Sequence, residues 1–167
     1  MEQFYRRDGV GNAIVTGPSG VGKSHLTYGL ARFMNEQFKV YDNPRSILFV
    51  SVVSLFNKVE ESFSIDNGFS KAKMVDLLTK VDYLFLDDLG KESRKDGNKA
   101  KNEWRHQLLY EVLDNRHNTI INTNLSSEQI KNLYADDFGN GALSSRILEG
   151  VMGNSFVYPK DMQDRRY

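Results

Sequence analysis

The chain has 167 residues, 22 Lys and Arg against 22 Asp and Glu, three His, three Pro and no Cys. That length suits one domain with a single core, the balanced charge gives no overall pull toward nucleic acid, and the missing cysteines exclude disulfides and thiolate metal sites. No apolar run approaches a membrane span and the N-terminus has no apolar signal region, so the reading is a cytoplasmic protein without a membrane partner, built as one unit without repeats or linkers.

In chain order, NAIVT (12–16) is a β-branched apolar run and reads as a buried strand. It runs into GPSGVGKSH (17–25), which fits G-x-x-x-x-G-K-[ST] at Gly17, Gly22, Lys23 and Ser24. KSHLTYGLARFMNEQF (23–38) follows, with Leu26, Leu30, Phe33 and Met34 at helical spacing. SILFVSVVSLF (46–56) predicts a second buried strand running into a short helix, and 57–70 a helix end and polar loop. Residues 71–81 carry Met74, Leu77, Leu78 and Val81 at helical spacing, and DYLFLDDLG (82–90) is a strand whose apolar run ends in two carboxylates. A charged loop (91–101) leads to an amphipathic helix (102–118) with Trp104, Leu108, Leu109, Val112 and Leu113 on one side. TIINTNLS (119–126) is a strand with polar residues at its end, and Ser126 can cap the following helix. Short helices over 127–138 and 141–151 precede a last strand, NSFVYP (154–159), stopped by Pro159.

Strands alternating with helices predict an α/β fold: a mostly parallel five-stranded sheet with helices on both faces. Such sheets bind ligands at the carboxyl ends of their strands. The glycine loop, the two aspartates and the Thr-Asn pair all fall at such ends, so one site can collect them.

Each residue type there has a physical task. The stretch Gly17, Pro18, Ser19, Gly20, Val21, Gly22, Lys23, Ser24 and His25 reads as a nucleotide cradle. Glycines let backbone N–H groups approach phosphate oxygens, Lys23 reaches the β/γ-phosphates, and the Ser24 hydroxyl takes Mg²⁺. Asp87 is the second candidate for Mg²⁺, and Asp88 the candidate general base that polarises the attacking water. Asn124, with Thr123 second, can orient that water; the same residues read equally well as a turn and helix cap. Arg146 reads locally as a surface arginine on an amphipathic helix. The basic loop residues Lys91, Arg94, Lys95, Lys99 and Lys101 can touch a nucleic acid backbone, or form a solvated loop. His25, His106 and His117 lack metal-ligand spacing, and Phe4 and Tyr5 are candidates for contact with a nucleotide base.

The stretches NAIVTGPSGVGKSHL, VDYLFLDDLGKE, EWRHQLLYEVLDNRHNTIINTNLS and LSSRI, with the terminal KDMQDRRY, resemble the AAA+ ATPase domain of bacterial and phage replicative helicase loaders of the DnaC/DnaI type and their IstB-type transposition relatives. The resemblance covers most of the chain from residue 12. It implies a three-layer AAA+ P-loop NTPase without a helical lid, occupying residues 1–167 as a single domain, with the family's N-terminal helicase-binding domain absent from this chain. It implies ATP or ADP with Mg²⁺ as ligands, Gly17 to Ser24 as Walker A, Asp87 and Asp88 as Walker B, and Asn124 as sensor 1. Arg146 becomes the arginine finger that completes a neighbour's site, with Arg116 and Arg165 as competitors for junction roles. The implied partners are a hexameric replicative helicase, single-stranded DNA bound modestly near 54–70, and further copies of the chain through Arg146. The implied activity is ATP hydrolysis, weak in the monomer, serving helicase placement in replication initiation. A nucleotide-gated module with negligible turnover and an IstB-like transposition ATPase are the alternatives, and a small-molecule kinase would need an arginine-bearing lid that the sequence lacks.

Overall fold

The computed structural model describes residues 11–42, 44–64, 70–92, 99–135 and 141–164, with the side chains of 63, 64 and 99–102 excepted. Five strands, β1 (Asn12–Thr16), β2 (Ile47–Ser51), β3 (Tyr83–Leu89), β4 (Thr119–Thr123) and β5 (Ser155–Val157), form one sheet in the order β2-β3-β4-β1-β5. Every neighbouring pair is parallel. The helices among the described residues are α1 (Lys23–Val40), α2 (Val52–Ser64), α3 (Lys71–Lys80), α4 (Lys99–Asp114), α5 (Ser127–Leu133) and α6 (Ala142–Leu148). No helix follows β5 among the described residues.

The three layers are uneven. Among the described residues only α1 covers one face, where Ala31, Met34 and Phe38 pack on Ala13, Tyr83, Phe85 and Ile120. The opposite face carries the other five helices and the larger core, from Val52 and Phe56 through Leu84, Leu86, Leu109 and Ile121 to Ile147. The parallel strands feed this arrangement directly: β1, β3 and β4 are buried along most of their length because both faces are covered. The buried side of α1 is Thr27, Ala31, Met34 and Phe38, whereas Leu26 and Phe33 of the expected stripe are exposed. The 3.6-residue period is right and the face is rotated, because Thr27 turns inward to hydrogen-bond. Leu77 is exposed too.

Helix α2 ends at Ser64, inside the stretch expected to hold a helix end and loop, whereas α4 begins at Lys99 and ends at Asp114, so Lys99 and Lys101 belong to a helix instead of the charged loop. Arg94 and Lys95 lie outside the described residues. Arg116 is buried and fully used inside the chain. It donates to the carbonyls of Leu78, Thr79, Val81 and Asn118 and to the Thr119 hydroxyl, placing a cation at the carbonyl end of α3. Burial pulls its guanidinium down to about 10, still charged at neutral pH, and no junction role is left for it.

Candidate nucleotide site

The site begins where β1 ends. After Thr16 the chain turns through the glycine loop and enters α1 with Gly22 as N-cap at φ 96°, a left-handed conformation that favours glycine. That turn aims the amino end of α1 into the loop. Lys23 is buried, and its Nζ donates to the carbonyls of Gly17 at 2.9 Å and Pro18 at 2.6 Å. Gly20, at φ 80°, touches the chain's far end: a Cβ built there would lie 1.9 Å from Asp164 Oδ1. The segment after β5 thus lies against the loop, fastened by Tyr158 N–H donating to Thr16 O at 2.8 Å. His25 is exposed on the first turn of α1.

The carboxyl end of β3 is irregular in a way that matters. Leu86 pairs with Ile121 and Leu89 with Thr123, so β3 spends one more residue than β4 across Asp87 and Asp88. This is a bulge. Asp87 keeps the alternation and faces α1 with Tyr83 and Phe85. Asp88 takes φ 64°, a conformation uncommon for a residue with a side chain. Leu89 is thereby returned to the larger core.

Asp87 Oδ1 accepts from Ser24 Oγ at 2.9 Å and from Asn122 Nδ2 at 2.8 Å. Asn122 Nδ2 also reaches Thr27 Oγ1 at 2.7 Å, while the Thr27 hydroxyl donates to Lys23 O at 3.1 Å. Both partners of that amide are acceptors, which fixes its orientation. Its Oδ1 is buried with no hydrogen-bond partner.

Asp88 pairs with Lys91 Nζ at 2.6 Å. It lines a small recess together with Gly90, Lys91 and Asn124. Thr123 faces the other way: its hydroxyl donates to Leu89 O at 2.7 Å and accepts from Leu125 N. Of the Thr-Asn pair Asn124 lines the recess beside Asp88, Thr123 instead holding the backbone of Leu89, while Ser126 heads α5 in a capping box with Gln129.

Arg146 stands apart from this cluster. The Asn12 side chain, at the amino end of β1, donates to Arg146 O at 2.7 Å, which puts Arg146 at the end of the sheet opposite the loop. Its guanidinium pairs with Asp114 at 2.6 Å and Glu149 at 3.1 Å. A cavity of about 760 Å³ beside it is lined by Lys131, Ser144, Ser145, Arg146 and Glu149. Phe4, Tyr5 and Arg165 lie outside the described residues, as do 65–69 of the segment expected to meet DNA.

The residues present fit a magnesium nucleotide. A buried ammonium lies beneath a glycine turn, a helix points its amino end into the turn, and one hydroxyl sits 2.9 Å from one carboxylate oxygen. Such a pair of hard oxygens suits Mg²⁺, which keeps most of its shell for water and phosphate. Sequence reasoning missed Asn122 and Thr27. The signals were there: an amide in the middle of a buried strand, and a hydroxyl one helical turn after Lys23.

The profile of the IstB-like ATP binding protein family matches residues 4–158. The replicative helicase loader DnaC of Buchnera aphidicola subsp. Schizaphis graminum is 23% identical over 159 residues, 92% of this chain and 55% of the relative. That of subsp. Baizongia pistaciae is 22% identical over 114 residues, 68% of this chain and 41% of the relative. The chain thus spans about half the length of the curated relatives it matches. Among solved structures, the DnaC helicase loader superposes with a TM-score of 0.63 at 21% identity, covering 93% of this chain and 83% of that one. DnaI gives 0.61 at 24%, covering 99% and 80%. AMPPCP-bound DnaA from Aquifex aeolicus gives 0.59 at 17%, covering 98% and 46%. At these identities the superpositions establish the fold alone: an α/β P-loop NTPase-like domain.

Proposed function

The chain belongs to the IstB-like ATP-binding protein family, and on that premise we propose that it binds and hydrolyses ATP as the ATPase domain of a helicase loader, helping to place a replicative helicase on single-stranded DNA. One observation carries the reading: Ser24, Asp87 and Asn122 converge within 2.8–2.9 Å at the foot of the helix that leaves the glycine loop.

In this reading Lys23 leaves the carbonyls of Gly17 and Pro18 and donates to the β/γ-phosphates, and the loop amides hold the remaining oxygens. Ser24 and Asp87 hold Mg²⁺, and Asn122 keeps the Asp87 carboxylate aimed by donating to it from behind. A magnesium ion held by Ser24 and Asp87 would supply neutralisation of the charge developing on the phosphates. Asp88 accepts the proton of the attacking water, and Asn124, in the same recess, orients that water. Arg146 serves a neighbouring copy, since it lies at the far end of its own sheet. DNA contact, by this reading, is modest, and a hexameric replicative helicase is the protein partner.

Calorimetry with Mg-ATP tests binding: the wild type titrates, and Lys23→Ala does not. Phosphate release tests hydrolysis, with Asp88→Ala expected to bind ATP and release none. An empty calorimetric trace for the wild type sinks the proposal.

A second reading has its own support. Asp88 is paired with Lys91, and Arg146 with Asp114 and Glu149, so both groups needed for turnover are engaged within the single chain. A nucleotide-gated module with negligible turnover would behave this way. Helicase loading that survives Asp88→Ala favours the module, and loading that is lost with hydrolysis favours the ATPase. Capture of a transposase in place of a replicative helicase by the full-length gene product favours the IstB-type role.

A further inference from the structure

Glu92 lies in the charged stretch after the two aspartates, where a solvated side chain is the plain expectation. It is instead 7% exposed. Its Oε2 accepts from Gly90 N–H at 2.7 Å, and its Oε1 is hydrogen-bonded to the Tyr134 hydroxyl of the residue that ends α5. Its own carbonyl accepts from Arg105 Nη1 of α4 at 2.9 Å, and the other end of that guanidinium pairs with Glu60 of α2 at 2.6 Å. The Arg105 guanidinium also lies over the Phe56 and Trp104 rings. One buried carboxylate therefore joins the acidic turn to helices on the larger-core face.

The turn needs such an anchor. Asp88 sits in a left-handed conformation that a residue with a Cβ resists, and such positions persist only when the surroundings over-determine them. Among the described residues, beside the Asp88–Lys91 ion pair, Lys91 N donates back to Asp88 O at 3.2 Å, Thr123 holds Leu89 O, and Glu92 holds Gly90 N–H. Of these, the Glu92 contact alone comes from a charged acceptor shielded from water, where a charge-assisted hydrogen bond is strongest. Burial of a carboxylate is costly; this one is kept in a place where its hydrogen bonds hold a backbone amide two residues from Asp88.

We propose that Glu92 is a positioning residue for Asp88: by clamping Gly90 N–H against α4 and α5 it holds the bulged turn in the conformation that presents Asp88 to the nucleotide. The proposal rests on the ATPase reading for its kinetic consequence. It rests on the Glu92–Gly90–Tyr134 geometry alone for its structural one.

The test compares Glu92→Ala, Glu92→Gln and Tyr134→Phe with the wild type in calorimetry, steady-state turnover and amide hydrogen exchange. Glu92→Ala is expected to lower kcat by about 10- to 100-fold, the scale of a misplaced catalytic group. The Kd for Mg-ATP should stay within about twofold, because Lys23 and Ser24 sit on a different strand-to-helix turn. Glu92→Gln, whose carbonyl can still accept from Gly90 N–H, should recover most of the turnover, which a general packing defect would not. Exchange at Gly90 and Lys91 should rise in Glu92→Ala and stay near wild type in Glu92→Gln, and this readout needs no turnover. If Glu92→Ala does not fold, Tyr134→Phe, which removes one donor and leaves the backbone contact, should give a smaller loss in kcat at constant Kd. Wild-type kcat and wild-type protection at Gly90 in a folded Glu92→Ala overturn the proposal. So does a Glu92→Gln as impaired as Glu92→Ala. A wild type that binds ATP but shows no turnover removes the hydrolytic reading, and Gly90 exchange then decides the role of Glu92 by itself.

Discussion

Replacing Asn122 by Asp keeps the shape of the side chain and reverses its chemistry where the site is tightest. In the wild type, Nδ2 donates to Asp87 Oδ1 at 2.8 Å. In Asn122→Asp a second carboxylate stands at that separation. Two unit charges 2.8 Å apart repel by about 6 kcal/mol at an effective dielectric constant of about 20, which is about four pK units. The pair therefore keeps one proton until roughly pH 8, against about pH 4 for an aspartate in the unfolded chain. Folding takes up that proton, so the site is indifferent below about pH 4 and increasingly unfavourable above it. The loss is about 1.5 kcal/mol at pH 5 and about 4 kcal/mol at pH 7. For a chain of this size each kcal/mol moves Tm by about 2–4 °C, so the deficit relative to wild type should widen by about 5–10 °C between those two pH values. Differential scanning fluorimetry without divalent ions measures it. Asn122→Ala, which loses the donor without adding charge, should show a deficit that does not change with pH. Added Mg²⁺ should reduce the Asn122→Asp deficit, because two carboxylates attract the cation. Parallel Tm curves for wild type and Asn122→Asp from pH 5 to 7 would mean that the amide does not face Asp87, and the convergence of Ser24, Asp87 and Asn122 would fail with it.

Asp164→Ala should tighten ATP binding about three- to fivefold in calorimetry, because it removes an anion lying against Gly20 of the loop and a partly exposed charge contributes at most about 1 kcal/mol; unchanged or weaker binding counts against that contact. Arg116→Ala strands the carbonyls at the end of α3 and should cost about 3–5 kcal/mol in chemical denaturation, with the Kd for ATP unaltered because the residue is remote from the loop. Burial raises the Glu92 carboxyl above its ordinary 4.5, so the stability it contributes is full below that value and declines as pH rises through the folded-state value. Glu92→Gln should therefore equal or exceed wild-type Tm at pH 7.5, with the gap closing toward pH 4.5. Burial lowers the His106 imidazole below 6.5, so its contribution is present above 6.5 and lost on acidification, and His106→Gln should flatten the fall in Tm between pH 7 and 5.

What the sequence by itself determined were features encoded in a few adjacent residues. The short apolar stretches of β1, β3 and β4, each followed by a helical pattern, demand cover on both faces, which makes the sheet parallel and its helices crossovers. The glycine loop states its ligand chemistry through Gly17, Gly22, Lys23 and Ser24, because the spacing itself builds the cradle. The order of motifs announced the family. The tertiary structure alone decided what depends on register and on who faces whom. The extra residue at Asp87–Asp88 cannot be seen in a strand read by itself, since a bulge exists only relative to its partner, and it is this that leaves Asp88 at the turn and returns Leu89 to the larger core. Asn122 looks like one more strand residue until β4 lies between β3 and β1 under Thr27. Glu92 looks like one more loop charge until Tyr134, 42 positions away, closes over it. Side-chain charge and polarity are local properties, but burial and hydrogen-bond partnership are long-range ones, and they emerge only when distant segments exclude water together.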